Sequence, residues 1–213
     1  MILPCLGEHN TFPDVDLALN EPDGLLCFGG DLSVNRLIQA YQKGIFPWYS
    51  EGEPLLWWSP SKRMVLKPKQ LHLSKSFKKA LKKNKPVFFL NRDFKKVISQ
   101  CAQIPRKDNG TWIHPEMISA YTALFEAGYG FSLEVEIDGQ LAGGIYGVKV
   151  ANIMCGESMF SLQKNGSKYA MYGLCQHMIE TGIDLLDCQI HNPHLEKMGA
   201  NLITRSQFLT YLS

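Results

Sequence analysis

The sequence lacks any long uninterrupted run of apolar residues, and its first positions lack the basic and apolar segments of a secretory signal. A membrane-spanning helix needs about 18 or more apolar residues in succession, so we expect a cytoplasmic protein that does not contact membranes. Motifs of the CxxC type are also missing, although the chain contains six cysteines. Scattered cysteines in a chain of 213 residues are typical of reduced thiols rather than of a disulfide framework.

Signatures of common cofactors and covalent mechanisms are absent as well. The glycines at 29–30 do not belong to a GxGxxG or GxxxxGKS/T loop, and neither a GxSxG motif nor a Cys–His signature of a covalent nucleophile is found. Cys188, His191 and His194 recur every three residues, but Pro193 interrupts any helix there and no fourth ligand follows. We therefore expect neither a metal ion nor a cofactor.

Acidic residues are almost absent from the middle of the chain. Residues 62–107 contain fifteen Lys or Arg and only Asp93 as an acid, whereas residues 1–61 and 108–213 each carry a net charge of −6. Clustered cations bind polyanions because they displace condensed counterions from a phosphate backbone. The basic segment 62–107 therefore indicates a nucleic-acid partner, although a solvated helix face would have the same charge pattern.

The basic segment predicts a helix that begins after Ser74, a residue type that favours the N-cap. Phe77 and Leu81 are four residues apart on the packed face of this helix, and Pro86 follows its end. A short strand VFFL and a second helix over residues 93–102 are predicted next. The exposed face of the first helix carries Lys75, Lys78, Lys79, Lys82 and Lys83.

Aromatic residues are concentrated in the segment GIFPWYSEGEPLLWWSP at 44–60, which is too rich in proline and glycine for a long helix. An amphipathic helix that Ser33 caps and Gly44 closes precedes this aromatic loop. Rings on such a loop can fill a core, or they can form a stacking platform for bases next to the basic segment. The aromatic residues are Phe46, Trp48, Tyr49, Trp57 and Trp58.

The chain from residue 111 onwards has the pattern of a regular α/β unit. Pro115 begins a predicted helix that Gly128 ends, and a hairpin follows that turns at Asp138 and Gly139. The alternation in its first strand places Phe131, Leu133, Val135 and Ile137 inward and Ser132, Glu134 and Glu136 outward. The remaining predicted elements are a strand over 153–156, a helix over 167–181, the strand LLDCQI and a short helix after Pro193.

Antiparallel strands followed by a helix and a parallel strand form the order found in GNAT-type acyltransferases. The predicted fold class is therefore α+β, with a small N-terminal α/β domain followed by a GNAT-like acyltransferase domain. We expect the N-terminal domain with the aromatic loop to span residues 1–62 and the catalytic domain to span residues 108–213. The basic helical segment 63–107 belongs to the N-terminal domain or bridges the two.

Three polar residues near the ends of predicted strands are candidates for chemistry. Asp187 and Gln189 are two residues apart in LLDCQI, so their side chains share one face of a strand. An aspartate in an apolar strand is costly unless it is paired, which favours a functional role, although a structural hydrogen bond would also explain it. Glu157 ends a neighbouring strand, where it can hold an ammonium group or a cationic side chain unless it is a plain surface residue.

Several strings of unusual composition follow one another along the chain: GLLCFGGDLS, GIFPWYSEGEPLLWWSP, TWI, GGIYGV, GESMFS, SKYA, LLDCQ and HLEKMGA. In these strings and in their order the chain resembles the leucyl/phenylalanyl-tRNA-protein transferase family. The resemblance implies that leucine or phenylalanine is transferred from aminoacyl-tRNA to a protein. An apolar pocket that accepts these two side chains would also accept methionine. The resemblance further implies that the acceptor is the N-terminal α-amine of a protein beginning with Lys or Arg, which is thereby marked for degradation. We expect a monomer that needs no metal or coenzyme.

The resemblance also implies roles for Asp187 and Gln189, which together with Glu157 form the expected catalytic group. In the family, the matching glutamine is viewed as taking the proton of the acceptor amine with help from the aspartate. Because a carboxamide is a very weak base, we expect Asp187 to orient Gln189, whose carbonyl accepts a hydrogen bond from the amine. Water or the ribose hydroxyl then carries the proton away.

Further positions are implied as contacts of the two substrates. The implied substrate-binding residues are Tyr41, Trp48, Trp112, Ile145, Met154 and Met178, with the two tryptophans at the terminal adenosine. Without the resemblance, Ile145, Met154 and Met178 would be assigned to the core. The five lysines of the basic helix correspond to the family's contacts with the tRNA body.

Two other classes of protein remain open. A coenzyme A-dependent GNAT-type N-acetyltransferase shares the predicted fold, but QKNGSK at 163–168 matches only part of the Q/R-x-x-G-x-G/A pyrophosphate loop, with Lys168 where glycine or alanine is expected. A noncatalytic RNA-binding module explains the basic segment and the aromatic residues, but it leaves Asp187, Gln189 and Glu157 without a role.

Overall fold

The computed structural model describes residues 3–7, 11–104 and 111–212, so positions 105–107 of the basic segment lie outside the described residues. The strands are β1 (Cys5–Leu6), β2 (Leu25–Gly29), β3 (Phe46–Pro47), β4 (Leu56–Trp58), β5 (Lys62–Leu66), β6 (Val87–Leu90), β7 (Gly130–Ile137), β8 (Gln140–Val150), β9 (Ile153–Ser161), β10 (Leu185–Asp187) and β11 (Asn201–Thr204). The helices are α1 (Val34–Gln42), α2 (Lys75–Asn84), α3 (Phe94–Gln103), α4 (Pro115–Glu126), α5 (Gly166–Thr181), α6 (Pro193–Glu196) and α7 (Arg205–Leu209). Among the described residues, no helix has the length and apolar character that crossing a bilayer requires.

Two sheets organise the chain. The smaller sheet has the strand order β1-β2-β4-β3, and the larger sheet has the order β11-β5-β10-β9-β8-β7-β6. In the larger sheet β7, β8 and β9 form an antiparallel meander, and β10 returns beside β9 in parallel after α5. The predicted α+β class is confirmed, and so is the predicted succession of antiparallel strands, helix and parallel strand.

The basic segment contributes to the larger sheet at two separate places. β5 lies between β10 and β11, whereas β6 forms the edge of the sheet next to β7. The division of the chain into 1–62, 63–107 and 108–213 stays a prediction. The second and third of these ranges share this one sheet.

The starts of the helices follow local signals in the sequence. The Ser33 hydroxyl accepts the Arg36 N–H at 3.3 Å at the start of α1, and the Ser74 hydroxyl accepts the Phe77 N–H at 3.2 Å at the start of α2. Each such acceptor satisfies one of the backbone donors that the first turn of a helix leaves free. Both predicted caps are confirmed, as is the start of α4 at Pro115.

Helices cover both faces of the larger sheet, with α5 on one face and α3 and α4 on the other. The prediction that Ser132 and Glu134 point to solvent is therefore wrong, because they are 0% and 1% exposed. The Glu134 carboxylate accepts the Ser132 hydroxyl at 2.8 Å and the backbone N–H groups of Arg92 and Asp93 at 3.3 Å. The alternation gave the correct period of the strand, but it does not reveal that a helix covers the polar face.

Candidate active site

A cavity of about 480 Å³ lies where β9 and β10 separate. The two strands pair in parallel as far as Asp187 opposite Cys155, where β10 ends. Beyond this point the chain stays with β5, because the Cys188 N–H donates to the Met64 carbonyl at 2.8 Å and the Met64 N–H donates to the Gln189 carbonyl at 3.0 Å. The gap that opens beside β9 forms the cavity.

The walls of the cavity come from distant parts of the sequence. The aromatic loop supplies Phe46, Pro47 and Trp48, and Trp112 lies on the same cavity. The apolar lining includes Ile104, Ile145, Met159, Met171, Leu186 and Leu195. The predicted site residues that line this single cavity are Trp48, Trp112, Ile145, Glu157 and Gln189.

Glu157 occupies a β-bulge in β9. Along the pair of β8 and β9, Tyr146 is opposite Ser158 and Gly147 is opposite Gly156, which leaves Glu157 as an extra residue. A bulge re-aims a side chain that a regular ladder would direct elsewhere, and bulges are frequent next to active sites. Glycine at position 147 permits the close approach of the two strands, because a Cβ atom there would collide with the backbone of β9.

Two buried tyrosines lie behind the Glu157 carboxylate. The Tyr121 hydroxyl donates to Glu157 Oε2 at 3.3 Å, and the Tyr41 and Tyr121 hydroxyl oxygens are 2.6 Å apart. Burial raises the pKa of both tyrosines well above the usual value, so their hydroxyls keep their protons and act as donors. Burial also raises the pKa of Glu157 from 4.5 to about 8, although the hydrogen bonds from Tyr41 and Tyr121 oppose the increase.

Gln189 reaches Glu157 from beyond the end of β10. Its side-chain Nε2 donates to Glu157 Oε1 at 2.9 Å, and its backbone N–H donates to Asp187 Oδ1 at 2.9 Å. The φ angle of Gln189 is 57°, in the left-handed region. The prediction of one strand over LLDCQI is therefore wrong: β10 ends at Asp187, and Asp187 and Gln189 do not share a strand face.

Asp187 is completely buried and is paired with Arg63, which is 2% exposed. Arg63 Nε donates to Asp187 Oδ1 at 2.8 Å and Arg63 Nη2 donates to Asp187 Oδ2 at 2.7 Å, so the pair is bidentate. Arg63 Nη1 donates to the Gly44 carbonyl at 3.0 Å. The guanidinium carbon lies 4.7 Å and 4.6 Å from the ring centres of Phe46 and Phe208. Arg63 thus connects the start of the aromatic loop with the end of β10.

Arg63 and Tyr121 belong to the site but were not predicted from the sequence. Arg63 lies on the strand KRMVL, and Asp187 lies on the apolar strand LLD. Because a buried cation needs an anion, this shared setting could have suggested that the two residues pair. Tyr121 lies on the buried face of α4. No pattern in the sequence separates a core tyrosine from one that donates to a carboxylate.

The other predicted substrate-binding residues lie in the core. Met154 and Met178 are 2% and 0% exposed, pack in the cluster that contains α5 and do not line the cavity. The methionines that line the cavity are Met159 and Met171. Tyr41 is 2% exposed and lies behind Glu157 rather than on the cavity wall.

The five predicted lysines are exposed on α2. Phe77 holds the other side of this helix against α5, with its ring centre 5.0 Å from that of Tyr169, and Asn84 Nδ2 donates to the Tyr169 hydroxyl at 3.0 Å. In the part of the chain that the structure describes, none of these lysines forms an ion pair. Their charge is therefore available to a polyanion, and their contact with tRNA stays a prediction.

Two family models match the chain. The model described as leucyl/phenylalanyl-tRNA protein transferase matches residues 65–213, and the model described as its N-terminal domain matches residues 30–61. Curated proteins named leucyl/phenylalanyl-tRNA–protein transferase are similar over nearly the whole chain. The protein of Aliivibrio fischeri strain MJ11 is 52% identical over 208 residues, which cover 97% of this chain and 87% of the relative. The protein of Psychromonas ingrahamii is 47% identical over 214 residues, which cover 100% of this chain and 90% of the relative.

Two solved structures show a more distant similarity. L-PGS from Bacillus licheniformis has a TM-score of 0.45 at 9% identity, over 79% of this chain and 54% of that chain. A GCN5-related N-acetyltransferase from Kribbella flavida has a TM-score of 0.41 at 9% identity, over 76% of this chain and 58% of that chain. Similarity of this degree carries no argument about function.

The matching family models and the curated relatives define the class of protein as an aminoacyltransferase. The chain belongs to the leucyl/phenylalanyl-tRNA protein transferase family. The resemblance seen in the sequence is thereby confirmed. The family name implies two substrates, an aminoacyl-tRNA and a protein.

Proposed function

We propose that the protein transfers leucine, phenylalanine or methionine from aminoacyl-tRNA to the N-terminal α-amine of proteins that begin with Lys or Arg, and so creates a degradation signal. Membership of the family supports the donor and the type of reaction. The observation that carries the chemistry is the contact of Glu157 with Gln189 on the wall of an apolar cavity that is rimmed with aromatic rings.

The reaction exchanges an ester for an amide. The acceptor nitrogen forms a bond to the aminoacyl carbonyl carbon, the bond from that carbon to the ribose oxygen breaks, and the ribose hydroxyl leaves with a proton. Because the aminoacyl ester is already activated, the reaction needs neither ATP nor a covalent enzyme intermediate. The enzyme has to hold both substrates in attack geometry, which can supply about 7 kcal/mol or more, and it has to accept the amine proton.

Glu157 is the proton acceptor in this proposal. An α-ammonium group has an ordinary pKa of about 7.7 to 8.0. Burial raises the pKa of Glu157 to about 8, so proton transfer between the two groups is close to thermoneutral, as an efficient general base requires. The position of Glu157 on the cavity wall beside Gln189 favours it over the two carriers expected from the sequence, water and the ribose hydroxyl.

Gln189 positions the acceptor amine. Its Nε2 is directed to Glu157, so its carbonyl oxygen is available to accept a hydrogen bond from the amine. Asp187 acts indirectly, because its carboxylate is neutralised by Arg63 and accepts the backbone N–H of Gln189. The expectation that Asp187 orients Gln189 is supported by this contact.

The apolar lining accounts for the choice of donor. Ile145, Met159 and Met171 line the cavity and offer no hydrogen bond to a polar side chain, whose desolvation would not be compensated. Flexible methionines adapt to both aliphatic and aromatic side chains. Trp48, which is 40% exposed, and Trp112 provide rings for the terminal adenosine, while the lysines of α2 bind the tRNA body.

The charge of the C-terminal part supports a basic acceptor. Residues 108–213 carry a net charge of −6, which attracts a polypeptide that begins with Lys or Arg. The enzyme is proposed to act as a monomer. An aminoacyl-tRNA donor supports a cytoplasmic location.

Coenzyme A chemistry is disfavoured by the start of α5. The Gly166 N–H donates to the Gln163 carbonyl at 2.9 Å, and the Ser167 N–H donates to the Ser161 hydroxyl at 2.7 Å. A pyrophosphate that binds at a helix N-terminus uses such backbone donors, which here are already occupied. Lys168 also departs from the small residue of the pyrophosphate loop.

The experiment that tests the proposal offers the enzyme labelled leucyl-tRNA or labelled acetyl-CoA together with a peptide that begins with Lys. Matched peptides differ only in their first residue, which is Arg or Glu. We expect label from leucyl-tRNA on the Lys and Arg peptides and little on the Glu peptide. Label from acetyl-CoA alone would contradict the proposal, and leucyl-tRNA binding without transfer would favour a noncatalytic RNA-binding module.

A further inference from the structure

A continuous chain of hydrogen bonds runs from Arg63 to Glu157. It consists of the bidentate pair of Arg63 with Asp187, the bond from the Gln189 N–H to Asp187 Oδ1 at 2.9 Å, and the bond from Gln189 Nε2 to Glu157 Oε1 at 2.9 Å. Gln189 and Glu157 line the cavity, whereas Arg63 and Asp187 are buried beside it. A buried cation is thereby connected to the reacting groups although it does not reach the substrates.

The backbone of Gln189 has a conformation that its surroundings must maintain. A φ angle of 57° is uncommon for a residue with a side chain, because the Cβ atom approaches the backbone closely there. Such conformations persist only where neighbouring groups enforce them. Here the Asp187 carboxylate accepts the Gln189 N–H, and rotation of that carboxylate would release the N–H.

Arg63 fixes the plane of the Asp187 carboxylate. A guanidinium group presents a planar fork of donors to both carboxylate oxygens, which an ammonium group cannot do. The guanidinium is itself held between the rings of Phe46 and Phe208 and by the bond to the Gly44 carbonyl at 3.0 Å. The orientation of Asp187 is therefore determined by its two hydrogen bonds from Arg63.

We propose that Arg63 is a positioning residue that, through Asp187, holds the Gln189 amide against Glu157 and towards the acceptor amine. The same guanidinium contacts Phe46 on another wall of the cavity and so sets that wall relative to Gln189. The proposal rests on the function proposed above for Gln189 and Glu157, but it concerns a residue that contacts neither substrate.

The first test compares Arg63→Lys with Arg36→Lys. Arg36 is another buried arginine, 6% exposed, which donates to the Gly7 carbonyl at 3.1 Å and lies over the Phe12 ring. We expect Arg63→Lys to lower kcat about 10- to 100-fold while KM for leucyl-tRNA changes less than about 3-fold, since a misplacement of about 1 Å has effects of this size. Arg36→Lys measures the loss of buried arginine contacts alone and leaves the kcat of the folded enzyme unchanged.

The pH profile distinguishes positioning from stability. Displacing Gln189 removes a hydrogen-bond donor from the Glu157 carboxylate, and this loss raises the pKa of Glu157. The acidic limb of the pH profile of kcat/KM for the peptide therefore moves to higher pH. The groups that face Glu157 keep their charges in Arg63→Lys; they are Tyr41, Tyr121, Asp187 and the cation at position 63. An unchanged acidic limb, with kcat reduced only by the unfolded fraction, would overturn the proposal.

A second variant keeps the proposal testable if Arg63→Lys fails to fold. Combining Arg63→Met with Asp187→Leu replaces the buried ion pair by apolar side chains, which often preserves or raises stability. We expect an unchanged or higher Tm and a kcat lower by about 100-fold, because Gln189 is no longer held. A wild-type kcat would show that the pair is only structural.

A separate variant distinguishes failure of this proposal from failure of the proposed function. Full turnover by Glu157→Gln would contradict Glu157 as the proton acceptor. The role of Arg63 would then be decided by kcat in Arg63→Lys and Arg36→Lys, and by the position of Gln189 in a crystal structure of Arg63→Lys. A Gln189 side chain in its original place would then overturn the positioning role.

Discussion

Gln189 Nε2 and Glu157 Oε1 are joined by a 2.9 Å hydrogen bond across the gap that opens where β9 and β10 separate. Gln189 follows the end of β10, and Glu157 is the extra residue in the bulge of β9. If β10 continued along β9, the space between the strands would be closed by backbone hydrogen bonds. Two local departures from regular β structure therefore create the polar end of an otherwise apolar cavity.

Replacing Glu157 by glutamine tests the proton acceptor directly. We expect kcat to fall about 100-fold or more, the usual contribution of a general base, while the Kd of leucyl-tRNA stays within about 2-fold. Single-turnover transfer and equilibrium binding measure the two quantities. Glu196→Gln is the matched control, because Glu196 is 62% exposed and faces His191 at 3.4 Å. A wild-type kcat in Glu157→Gln would remove Glu157 from the chemistry.

The raised pKa of Glu157 also predicts how stability depends on pH. The folded protein keeps the Glu157 proton up to about pH 8, whereas the unfolded chain releases it near 4.5, so the free energy of unfolding falls as the pH rises through this interval. Glu157→Gln removes that loss and is more stable than the wild type at about pH 9, by on the order of 2 kcal/mol because the side chain partly faces the cavity. Urea unfolding at about pH 5 and about pH 9 measures the difference. Identical pH dependence in the two proteins would contradict the buried state of this carboxyl group.

Neutralising the exposed face of α2 should weaken tRNA binding. The triple variant Lys78→Ala, Lys79→Ala, Lys82→Ala is expected to lower affinity and to reduce the slope of log K against log salt by about 2 to 3, since each lost phosphate contact removes nearly one released counterion. Binding measured over a range of salt concentrations gives the slope. An equal triple change at Lys95, Lys96 and Lys149, which lie on other elements, controls for net charge. Equal slopes in the two triple variants would contradict a specific role of α2.

Removing the Trp48 ring should affect the tRNA substrate alone. Trp48→Ala is expected to raise KM for leucyl-tRNA about 10-fold, because stacking on a base contributes about 1–3 kcal/mol, and to leave KM for the peptide unchanged. Steady-state kinetics with each substrate varied in turn measure both constants. Tyr129→Ala is the control, since Tyr129 is equally exposed at 40% and does not line the cavity. An increase in KM for the peptide instead would assign Trp48 to the acceptor.

Elements with local signals could be predicted from the sequence. The caps at Ser33 and Ser74 and the turn at Asp138 and Gly139 depend on neighbouring residues only, and the structure contains all of them. The length of β10 could not be predicted, because a continuous apolar strand and a strand that ends at a left-handed residue have the same sequence pattern.

The composition of the site was more predictable than its arrangement. Residue type and position near predicted strand ends identified Asp187, Gln189 and Glu157 as candidates for chemistry, and the structure brings them into one hydrogen-bonded cluster. The pair of Arg63 and Asp187 spans 124 positions of sequence, and only the tertiary fold brings the two together. The bulge at Glu157 was also hidden, because one inserted residue leaves the composition of a strand unchanged.

β5 pairs with β10 on one side and with β11 on the other, and both of these partners lie within residues 185–204. A ribosome releases the N-terminal part of a chain first, so the nascent protein carries the apolar residues Met64, Val65 and Leu66 without their neighbours until residues 185–204 have been made. Arg63 meets its carboxylate only at that stage. The hydrogen-bonded chain from Arg63 to Glu157 can therefore form only after residues 185–204 have left the ribosome.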